Sequence, residues 1–588
     1  MILAEKSTLF VFLKSTFRRN QILYCTKSIA VRITEILFAH LHIPFKEQKL
    51  DFGNVDHAPE IRKNAYETAQ NYLEKIQCKK WTGELSQLFS INFDLIVNKF
   101  FFDELYMKYE FYELAMRYAI ENPNKPQTIY IQKLFSEPYV DRLSNHFKIS
   151  ALKEFGRVNF FCTIFLLPLL LTYYWRKHGT TETLHFDNEI VCCIDEESTY
   201  EMYNNLLGEY SKLRYVIEKY NVKWFSDERL QELKIHVLGL TKESYLYLKK
   251  IVYKYMLSCL KYHKNISLYG ARLFWLFYTL IRGKAEAVHG KGNYFFTYEH
   301  LITEKAARNE FLRLDGSKSI FIPKNAHASP QYFHSEIFIN YDVMCSAGKQ
   351  IEELYERKRA LTKIYLPVGS YDNHRRTVYT SDYDARVARL KTFKGDSLAV
   401  TIISPGICDP TYSHEIKLMI LAQKIAHQQG VKVFIRLKPV PLIPKYADFY
   451  KPYVNGQDSI MLTAAEHELF DFLEVTDLFV TSISNAACDV ALCDAQVMFI
   501  DFMKAPDLFL FWSVMNDLVL NEENAFKMIM QWVNDKKDGR VRTRYEEKMK
   551  QLTEYIGYRF PSFDSYKANL ISELREHVFC ANPMLDKI

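Results

Sequence analysis

The hydrophobic pattern between residues 397 and 502 alternates short apolar runs with longer amphipathic stretches. Residues 413–429 place apolar side chains at helical spacing, and Gly430 stands where a helix stop is expected. Short runs rich in β-branched residues, each the length of one buried strand, occur at 397–403, 431–437, 478–482 and 497–501. Strands that alternate with helices at this spacing predict a parallel sheet within an α/β fold.

Polar groups suited to an anion stand at the ends of three of these predicted strands. The ligands of a parallel sheet lie at the carboxyl ends of its strands, and the free N–H groups of a helix start favour phosphate. The groups are Ser404 and Gly406 after the first strand, Arg436 and Lys438 at the end of the second, and Ser482, Ser484 and Asn485 after the third. The sequence therefore predicts a site for a diphosphate or a sugar nucleotide in this part of the chain.

Three segments follow one another here: Phe434-Ile-Arg-Leu-Lys-Pro439, Asp477-Leu-Phe-Val-Thr-Ser-Ile-Ser-Asn485 and Val497-Met-Phe-Ile-Asp501. Together they resemble the C-terminal half of GT-B glycosyltransferases of bacterial surface-polysaccharide (capsule and lipopolysaccharide) biosynthesis, over the last third of the chain. The chain departs from the family pattern at Lys438, where many members have His, and at Asp489, near where many have Glu. The resemblance implies two Rossmann-like domains that face a cleft, with the acceptor on the N-terminal domain and the donor on the C-terminal one.

The first fifty residues show the same alternation of short apolar runs and amphipathic stretches. Strands are predicted at Met1–Leu3, Gln21–Cys25 and His42–Phe45, with helices between them. The first strand leads into Ala4-Glu5-Lys6-Ser7, which lacks the glycines that a phosphate-binding loop needs for close backbone approach. This argues against a conventional dinucleotide enzyme and against an NTPase.

Residues 58–284 have a mostly helical pattern, interpreted as a large insertion in the N-terminal half, with an acceptor- or partner-binding module as the alternative. Helices are predicted, among others, at 95–122, 200–220 and 241–262, and one strand is predicted at Ile190–Ile194. The acidic run that follows this strand, Asp195 to Glu197, is typical of a solvated helix start rather than of a metal site.

From residue 293 the strand-helix alternation returns, with predicted strands at 294–298, 318–322, 337–345 and 363–369. The resemblance then implies three parts of the chain. These are an acceptor-side Rossmann-like domain at 1–370 that includes the helical insertion at 58–284, a linker at 371–396, and a nucleotide-sugar-binding Rossmann-like domain at 397–588.

Candidate catalytic residues stand at the predicted strand ends of the acceptor-side domain. An inverting transfer requires a general base near the acceptor hydroxyl, and Glu or His suits that task. The candidates are Glu299, His300 and His327, with Lys324 and Asn325 beside them, and on the donor side Glu466 and His467. Any of them can also be an ordinary loop residue.

The stretch 158–175 approaches membrane character, bounded by Arg157 and by Arg176 and Lys177, with Pro168 in its middle. Its length is near the lower limit for a span. Three interpretations stay open: a buried or groove-lining helix, a peripheral patch that contacts a bilayer, and a true span. The second would suit a lipid-linked acceptor.

The function implied is a metal-independent glycosyltransferase that moves a sugar from a nucleotide-activated donor to a glycan or lipid-linked acceptor, with no cofactor besides this co-substrate. The Asp-x-Asp motif of the other large transferase fold has one notable match, Asp382-Tyr-Asp384, and it falls in the predicted linker. The alternatives are a polyol-phosphate (CDP-glycerol-type) transferase, a UDP-N-acetylglucosamine 2-epimerase, which length and insertion disfavour, and a non-catalytic scaffold with a degenerate GT-B fold.

Composition narrows the class of protein further. Hydrophobic residues make up 48% and charged residues 25% of the 588-residue chain, which is typical of a globular protein. A net charge of +6 is small for this length and gives no reason to expect nucleic-acid binding. Eleven scattered cysteines without a C-x-x-C pair, and charges that interrupt the first apolar residues, favour the cytoplasm or the inner face of the cytoplasmic membrane.

Overall fold

The protein is an α/β protein built on parallel sheets. The structure, a computed structural model, describes residues 2–7, 22–27, 47–49, 58–124, 128–151, 156–180, 184–219, 221–270, 272–298, 303–325, 331–332, 334–375, 382–405, 412–437, 443–454, 458–463, 467–482, 484–502, 509–515, 518–540 and 543–579. Elements are numbered below in chain order over these residues.

A five-stranded sheet has the order β3-β2-β1-β4-β5, and its pairings are parallel. Its strands are β1 (Ile2–Ser7), β2 (Ile22–Lys27), β3 (Glu47–Lys49), β4 (Thr128–Ile131) and β5 (Lys148–Ala151). The first two confirm the strands predicted at Met1–Leu3 and Gln21–Cys25. The strand predicted at His42–Phe45, and the helices predicted between these strands, lie outside the described residues.

Helices follow β3 and form most of the segment 58–286. They are α1 (Ala58–Ile76), α2 (Lys79–Phe89), α3 (Phe93–Glu121), α4 (Lys133–Ser136), α5 (Val140–Ser144), α6 (Gly156–His178), α7 (Glu197–Leu207), α8 (Asp227–Glu232), α9 (Lys242–Lys261), α10 (His263–Ile266) and α11 (Arg272–Glu286). Short 3₁₀ turns occur at Glu137–Tyr139, Val222–Trp224 and Ser267–Tyr269. Among the described residues no helix combines the length and the apolar character needed to cross a membrane.

The long helices pack around a core rich in aromatic side chains. Trp81 of α2 is fully buried, and its ring centroid lies 5.8 Å from that of Phe93 in α3 and 6.3 Å from that of Tyr255 in α9. Leu167 of α6 and Leu276 of α11 belong to the same buried cluster. One face of α6 is therefore packed in the same core as α2, α3, α9 and α11.

A seven-stranded sheet has the order β14-β13-β12-β11-β7-β8-β9. Its strands are β7 (Ile190–Ile194), β8 (Leu213–Glu218), β9 (Ile235–Leu238), β11 (Tyr294–Thr297), β12 (Lys318–Phe321), β13 (Val343–Ser346) and β14 (Ile364–Pro367), while β6 (Gly179–Thr180) and β10 (Leu240–Thr241) form a separate pair. The single helix predicted at 200–220 is wrong. Gly208 follows the end of α7, and the residues after it form β8, because their backbone groups pair in parallel with β7.

A six-stranded parallel sheet has the order β17-β16-β15-β18-β19-β20. Its strands are β15 (Leu398–Ile403), β16 (Val431–Arg436), β17 (Ile460–Thr463), β18 (Leu478–Thr481), β19 (Val497–Asp501) and β20 (Val519–Asn521). Alternate side chains of β15 enter two separate cores, Ala399 and Ile403 on one face and Val400 and Ile402 on the other. Burial on both faces explains why these strands are continuous apolar runs in the sequence.

The remaining helices follow the strands of the second half. They are α12 (Thr303–Leu314), α13 (Lys349–Arg357), α14 (Tyr371–Arg375), α15 (Tyr383–Lys394), α16 (Tyr412–Ala426), α17 (Ile443–Val454), α18 (Asn485–Ala491), α19 (Leu510–Val514), α20 (Ala525–Lys537), α21 (Thr543–Ile556) and α22 (Phe563–Leu574), with 3₁₀ turns at His334–Glu336 and Leu469–Glu474 and a π turn at Arg575–Phe579. The segment predicted as a linker therefore contains α14 and α15.

Two compact units divide the chain. One comprises Met1–Tyr200, Lys212–Ser319 and Tyr332–Tyr341, and the other comprises Glu201–Ser211, Ile320–Gln331 and Asp342–Ile588. The first contains the five-stranded sheet and the helices packed around Trp81, and the second contains the whole six-stranded sheet. The domain boundaries expected from the sequence, at 370 and 397, stay a prediction.

Candidate functional site

The six-stranded sheet reverses its direction of growth next to β15. The chain adds β16 and β17 on one side of β15 and then adds β18, β19 and β20 on the other. Connections that leave two neighbouring strands in opposite directions open a crevice at the carboxyl ends of those strands, where ligands of such sheets bind. Here the two strands are β15 and β18.

Three residues predicted from the sequence come together at this edge of the sheet. Ile403 pairs with Arg436 across β15 and β16, and Ile402 pairs with Val480 across β15 and β18. Ser404, which directly follows β15, is therefore beside Arg436, and Ser482, which directly follows β18, lies at the level of Ser404 one strand further along the sheet. The backbone N–H of Ser404 donates to the Arg436 carbonyl at 3.0 Å.

Some polar atoms at this edge are buried without a partner. Within the described ranges, no hydrogen-bond partner is found for Ser482 Oγ, for Arg436 Nε or for Nδ1 of His414, which lies in the first turn of α16. Ser482 is only 1% exposed. Buried polar groups are nearly always hydrogen-bonded, so a group left unsatisfied next to a crevice indicates a place for a ligand or a bound water.

The Arg436 side chain is partly buried beside Asp489. Burial lowers the pKa of the Arg436 guanidinium, and the negative charge of Asp489 opposes that shift. Asp489 is 5% exposed and lies on α18. The acid at which the sequence departs from the family pattern therefore stabilises the cation that the sequence predicts to bind phosphate.

The Ser404 hydroxyl already takes part in a buried chain of hydrogen bonds. Its Oγ lies 3.2 Å from the hydroxyl of Tyr450, which in turn donates to Glu415 Oε1 at 2.8 Å. Glu415 is fully buried in α16 and Tyr450 lies on α17. These hydrogen bonds could not be predicted from the sequence, because the three residues stand apart in the sequence and meet only in the folded sheet.

Ser484 caps α18, since its Oγ accepts a hydrogen bond from the Ala486 N–H at 3.2 Å, and Asn485 is the first residue of this seven-residue helix. The helix start predicted at this point is confirmed. Because the Ser484 hydroxyl is used as a cap, the neighbouring Ser482 is the better candidate for a ligand contact.

His467 lies just after β17, whose last residue, Thr463, pairs with Arg436. His467 is buried, and its Nδ1 lies 3.8 Å from Oδ2 of Asp471. Asp471 is held by Arg386 of α15 through two hydrogen bonds of 2.7 and 3.0 Å. The loop that carries His467 is thus anchored by an ion pair that the sequence analysis missed, because Arg386 falls in the predicted linker.

The other predicted site residues are distributed as follows. Lys324 is partly buried and Asn325 is exposed, both shortly after β12. Six residues lie outside the described part of the chain, and their roles stay predictions: Glu299, His300, His327, Gly406, Lys438 and Glu466.

Comparison with known proteins yields similarities of structure. No protein-family model matches the chain, and no curated protein matches it. Solved structures similar to it include a UDP-N-acetylglucosamine 2-epimerase (TM-score 0.39, 12% identity, 67% of this chain and 97% of that one). Others are the wall teichoic acid polymerase TagF (0.37, 12%, 72% and 97%) and a glycosyltransferase from Rickettsia africae (0.38, 8%, 67% and 99%). These scores and identities are low, so nothing about the activity of this chain follows from them.

A second reversal of strand order occurs in the seven-stranded sheet, where β7 lies between β8 and β11. Asp195 follows β7, and its carboxylate accepts hydrogen bonds from the Tyr298 hydroxyl, just after β11, and from Thr199 Oγ1 at 2.7 Å. Burial and the Asp195 charge raise the pKa of the Tyr298 hydroxyl. The helix start predicted after β7 is confirmed by α7, but nothing in the sequence marks Asp195 as a residue at a switch in strand order.

A metal site was not expected from the sequence. In the parts of the chain described above, no three His, Cys, Asp or Glu side chains lie close enough to hold a metal ion. Metal-independent chemistry stays a prediction that requires an activity measurement.

Proposed function

We propose that this chain is a transferase that binds a nucleotide-activated donor where β15 meets β18 and passes its sugar to a glycan or lipid-linked acceptor in surface-polysaccharide synthesis. The observation that carries the proposal is the reversal of strand order between β15 and β18, with Ser482 Oγ and Arg436 Nε at this edge, both buried and without a hydrogen-bond partner among the described residues. The resemblance of segments 434–439 and 477–485 to GT-B glycosyltransferases supports the same ligand class.

The chemistry of this edge suits a phosphorylated ligand. A guanidinium can donate two parallel hydrogen bonds to phosphate oxygens, and Nε of Arg436, for which the described part of the chain offers no acceptor, can supply one of these donors. The Ser482 hydroxyl adds a neutral donor, and its side chain is only 1% exposed. The guanidinium keeps its charge at neutral pH, and the negative charge of Asp489 opposes the lowering of its pKa by burial.

The acceptor requires a base, and Asp195 is a described residue whose chemistry suits that role. Its carboxylate stands at the carboxyl end of β7, and the hydrogen bonds from Tyr298 and Thr199 fix its orientation. A positioned carboxylate can take the proton of an attacking hydroxyl. We therefore add Asp195 to Glu299, His300 and His327 as a candidate general base.

The donor proposal is tested by titrating the purified protein with UDP-, GDP-, CMP- and CDP-activated compounds. Arg436→Ala should weaken binding of the preferred nucleotide about ten- to a hundredfold, because a charge-assisted hydrogen bond contributes about 1.5–3 kcal/mol. Lys432→Ala is the matched control, since Lys432 lies near the opposite end of β16 and donates to the Asp458 carbonyl at 2.9 Å. It should bind as the wild type does.

The outcomes separate the alternatives. Release of CMP with transfer of a polyol phosphate would identify the CDP-glycerol-type transferase, and interconversion of UDP-N-acetylglucosamine with its epimer would identify the epimerase. Binding of no nucleotide at all would favour a scaffold. Equal affinities in Arg436→Ala and the wild type would exclude the site at β15 and β18.

A further inference from the structure

Helix α6 has one buried face and one exposed face, and both are apolar. The buried face packs into the aromatic core through Phe160, Ile164, Leu167, Leu171 and Tyr174. The outward face is defined by Phe161, Phe165, Leu166, Leu169 and Tyr173, which are 41%, 63%, 46%, 64% and 61% exposed. Four of these residues recur at every fourth position, so they form one ridge along the helix. A continuous apolar ridge on a protein surface indicates a binding surface.

Cations border the outward face. Arg176 and Lys177 are exposed in the last turn of α6, and the helix sequence from Gly156 to His178 contains no Asp or Glu. Helix α9 packs against α6, and the rings of Tyr245 and Trp175 lie 5.0 Å apart. Further exposed groups on α9 are the cations Lys249, Lys250 and Lys254 and the apolar Leu246, Tyr253 and Leu257.

We infer that the outward face of α6 docks onto an anionic lipid bilayer, with the helix lying in the plane of the interface. Aromatic and leucine side chains enter the headgroup boundary, and lysine and arginine beside them attract anionic headgroups. Charge complementarity favours this occupant over a second copy of the chain. A second copy of the chain offers no Asp or Glu on this helix to pair with these cations, whereas an anionic bilayer supplies complementary charge.

The binding geometry follows from the helix itself. The ridge from Phe161 to Tyr173 is inclined to the helix axis, because each step of four residues advances about 40° around the helix, so Phe165 and Leu169 in its middle reach deepest into the membrane. The opposite face, with Leu167 fully buried, stays in the protein core. Helix α6 therefore binds from the side and keeps its packing. This docking does not depend on the donor chemistry proposed above, since it involves no residue of the six-stranded sheet.

The first test is sedimentation with vesicles of phosphatidylcholine mixed with phosphatidylglycerol, compared with phosphatidylcholine alone. The wild type should bind the anionic vesicles more tightly, and less so at high salt. The double variant Phe165→Glu, Leu169→Glu should lose at least about tenfold in binding, because it replaces inserted apolar groups by anions. The matched control is Ile120→Glu, at a position on α3 that is 54% exposed, and it should bind like the wild type.

A second measurement needs no variant. Cys162 is exposed on α6 next to Phe161, and its thiol should react with a maleimide more slowly when anionic vesicles are present. The partly buried Cys493, in the other compact unit, serves as the internal reference and should react at an unchanged rate. Both thiols can be followed in one digest by mass spectrometry.

Three results would overturn the inference. They are a wild type that fails to sediment with anionic vesicles, an unprotected Cys162, and a double variant that binds as tightly as the wild type. Light scattering tests whether the outward face instead binds a second copy of the chain. A dimer that the double variant abolishes, without any vesicle binding by the wild type, would assign the outward face to self-association. Nucleotide affinity should be the same in all these variants, so failure here leaves the donor proposal intact.

Discussion

Ser482 and Thr481 are adjacent hydroxyl residues with opposite expected behaviour. Thr481 Oγ1 donates to the Ile403 carbonyl at 2.9 Å, whereas Ser482 Oγ has no hydrogen-bond partner among the described residues. Both side chains are buried, at 0% and 1% exposure. One hydroxyl therefore stabilises the fold, and the other is held buried at a cost in stability unless a ligand or a bound water satisfies it.

The free energies follow from this difference. An unsatisfied buried polar group costs about 1–3 kcal/mol, so Ser482→Ala should raise the free energy of unfolding of the unliganded protein by about 1 kcal/mol. The same change should weaken donor binding by about 1 kcal/mol, or about fivefold, since a net hydrogen bond to the ligand is lost. Thr481→Val should lower the free energy of unfolding by about 1 kcal/mol and leave donor binding unchanged.

The assay combines equilibrium denaturation of each variant without ligand and titration of each with the nucleotide that the wild type prefers. Ser482→Ala is expected to be more stable and to bind the nucleotide more weakly. Thr481→Val is expected to lose stability alone. If Ser482→Ala were less stable and bound the nucleotide normally, the hydroxyl would have a structural role and the reasoning about the crevice would fail.

Three further predictions concern other parts of the chain. Burial, with Lys417 nearby, lowers the pKa of His414 to about 4, below its unfolded value, so stability should fall by up to about 3 kcal/mol as pH falls from about 6.5 to about 4. Denaturation of His414→Gln should show a flatter pH dependence over that range. Leu167→Ala should lower the free energy of unfolding by about 2–5 kcal/mol, because it opens a cavity in the core under α6. Asp195→Asn should reduce the transfer rate by about a hundredfold or more while nucleotide affinity stays unchanged. Steady-state kinetics measures the rate, and direct titration measures the affinity; a loss of nucleotide affinity would contradict the role of Asp195 as a base.

The strands of the six-stranded sheet could be predicted from the sequence because they are buried on both faces. Such strands consist of apolar side chains without interruption, as in Leu398–Ile403, and that signal is local. Residues 200–220, predicted as a single helix, lack this signal. There the apolar and polar positions are compatible with a helix, and only pairing with β7 makes Leu213–Glu218 a strand.

The candidate site could be predicted in its positions but not in its contacts. Strand-end residues such as Arg436 and Ser482 can be named from the alternation of strands and helices. Their partners depend on strand order, which the sequence does not state. Asp489 beside Arg436, and Arg386 under the loop of His467, come from elements that only the folded sheet brings together.

The strand order of the six-stranded sheet also has a consequence for how this region folds. Strands β15, β16 and β17 follow one another in the chain and pair in that order, so their contacts close short loops. The pairing of β15 with β18 closes a longer loop, which costs about 1 kcal/mol more in chain entropy. Because the crevice exists only after that pairing, the binding site requires closure of this longer loop, whichever strands of the sheet pair first.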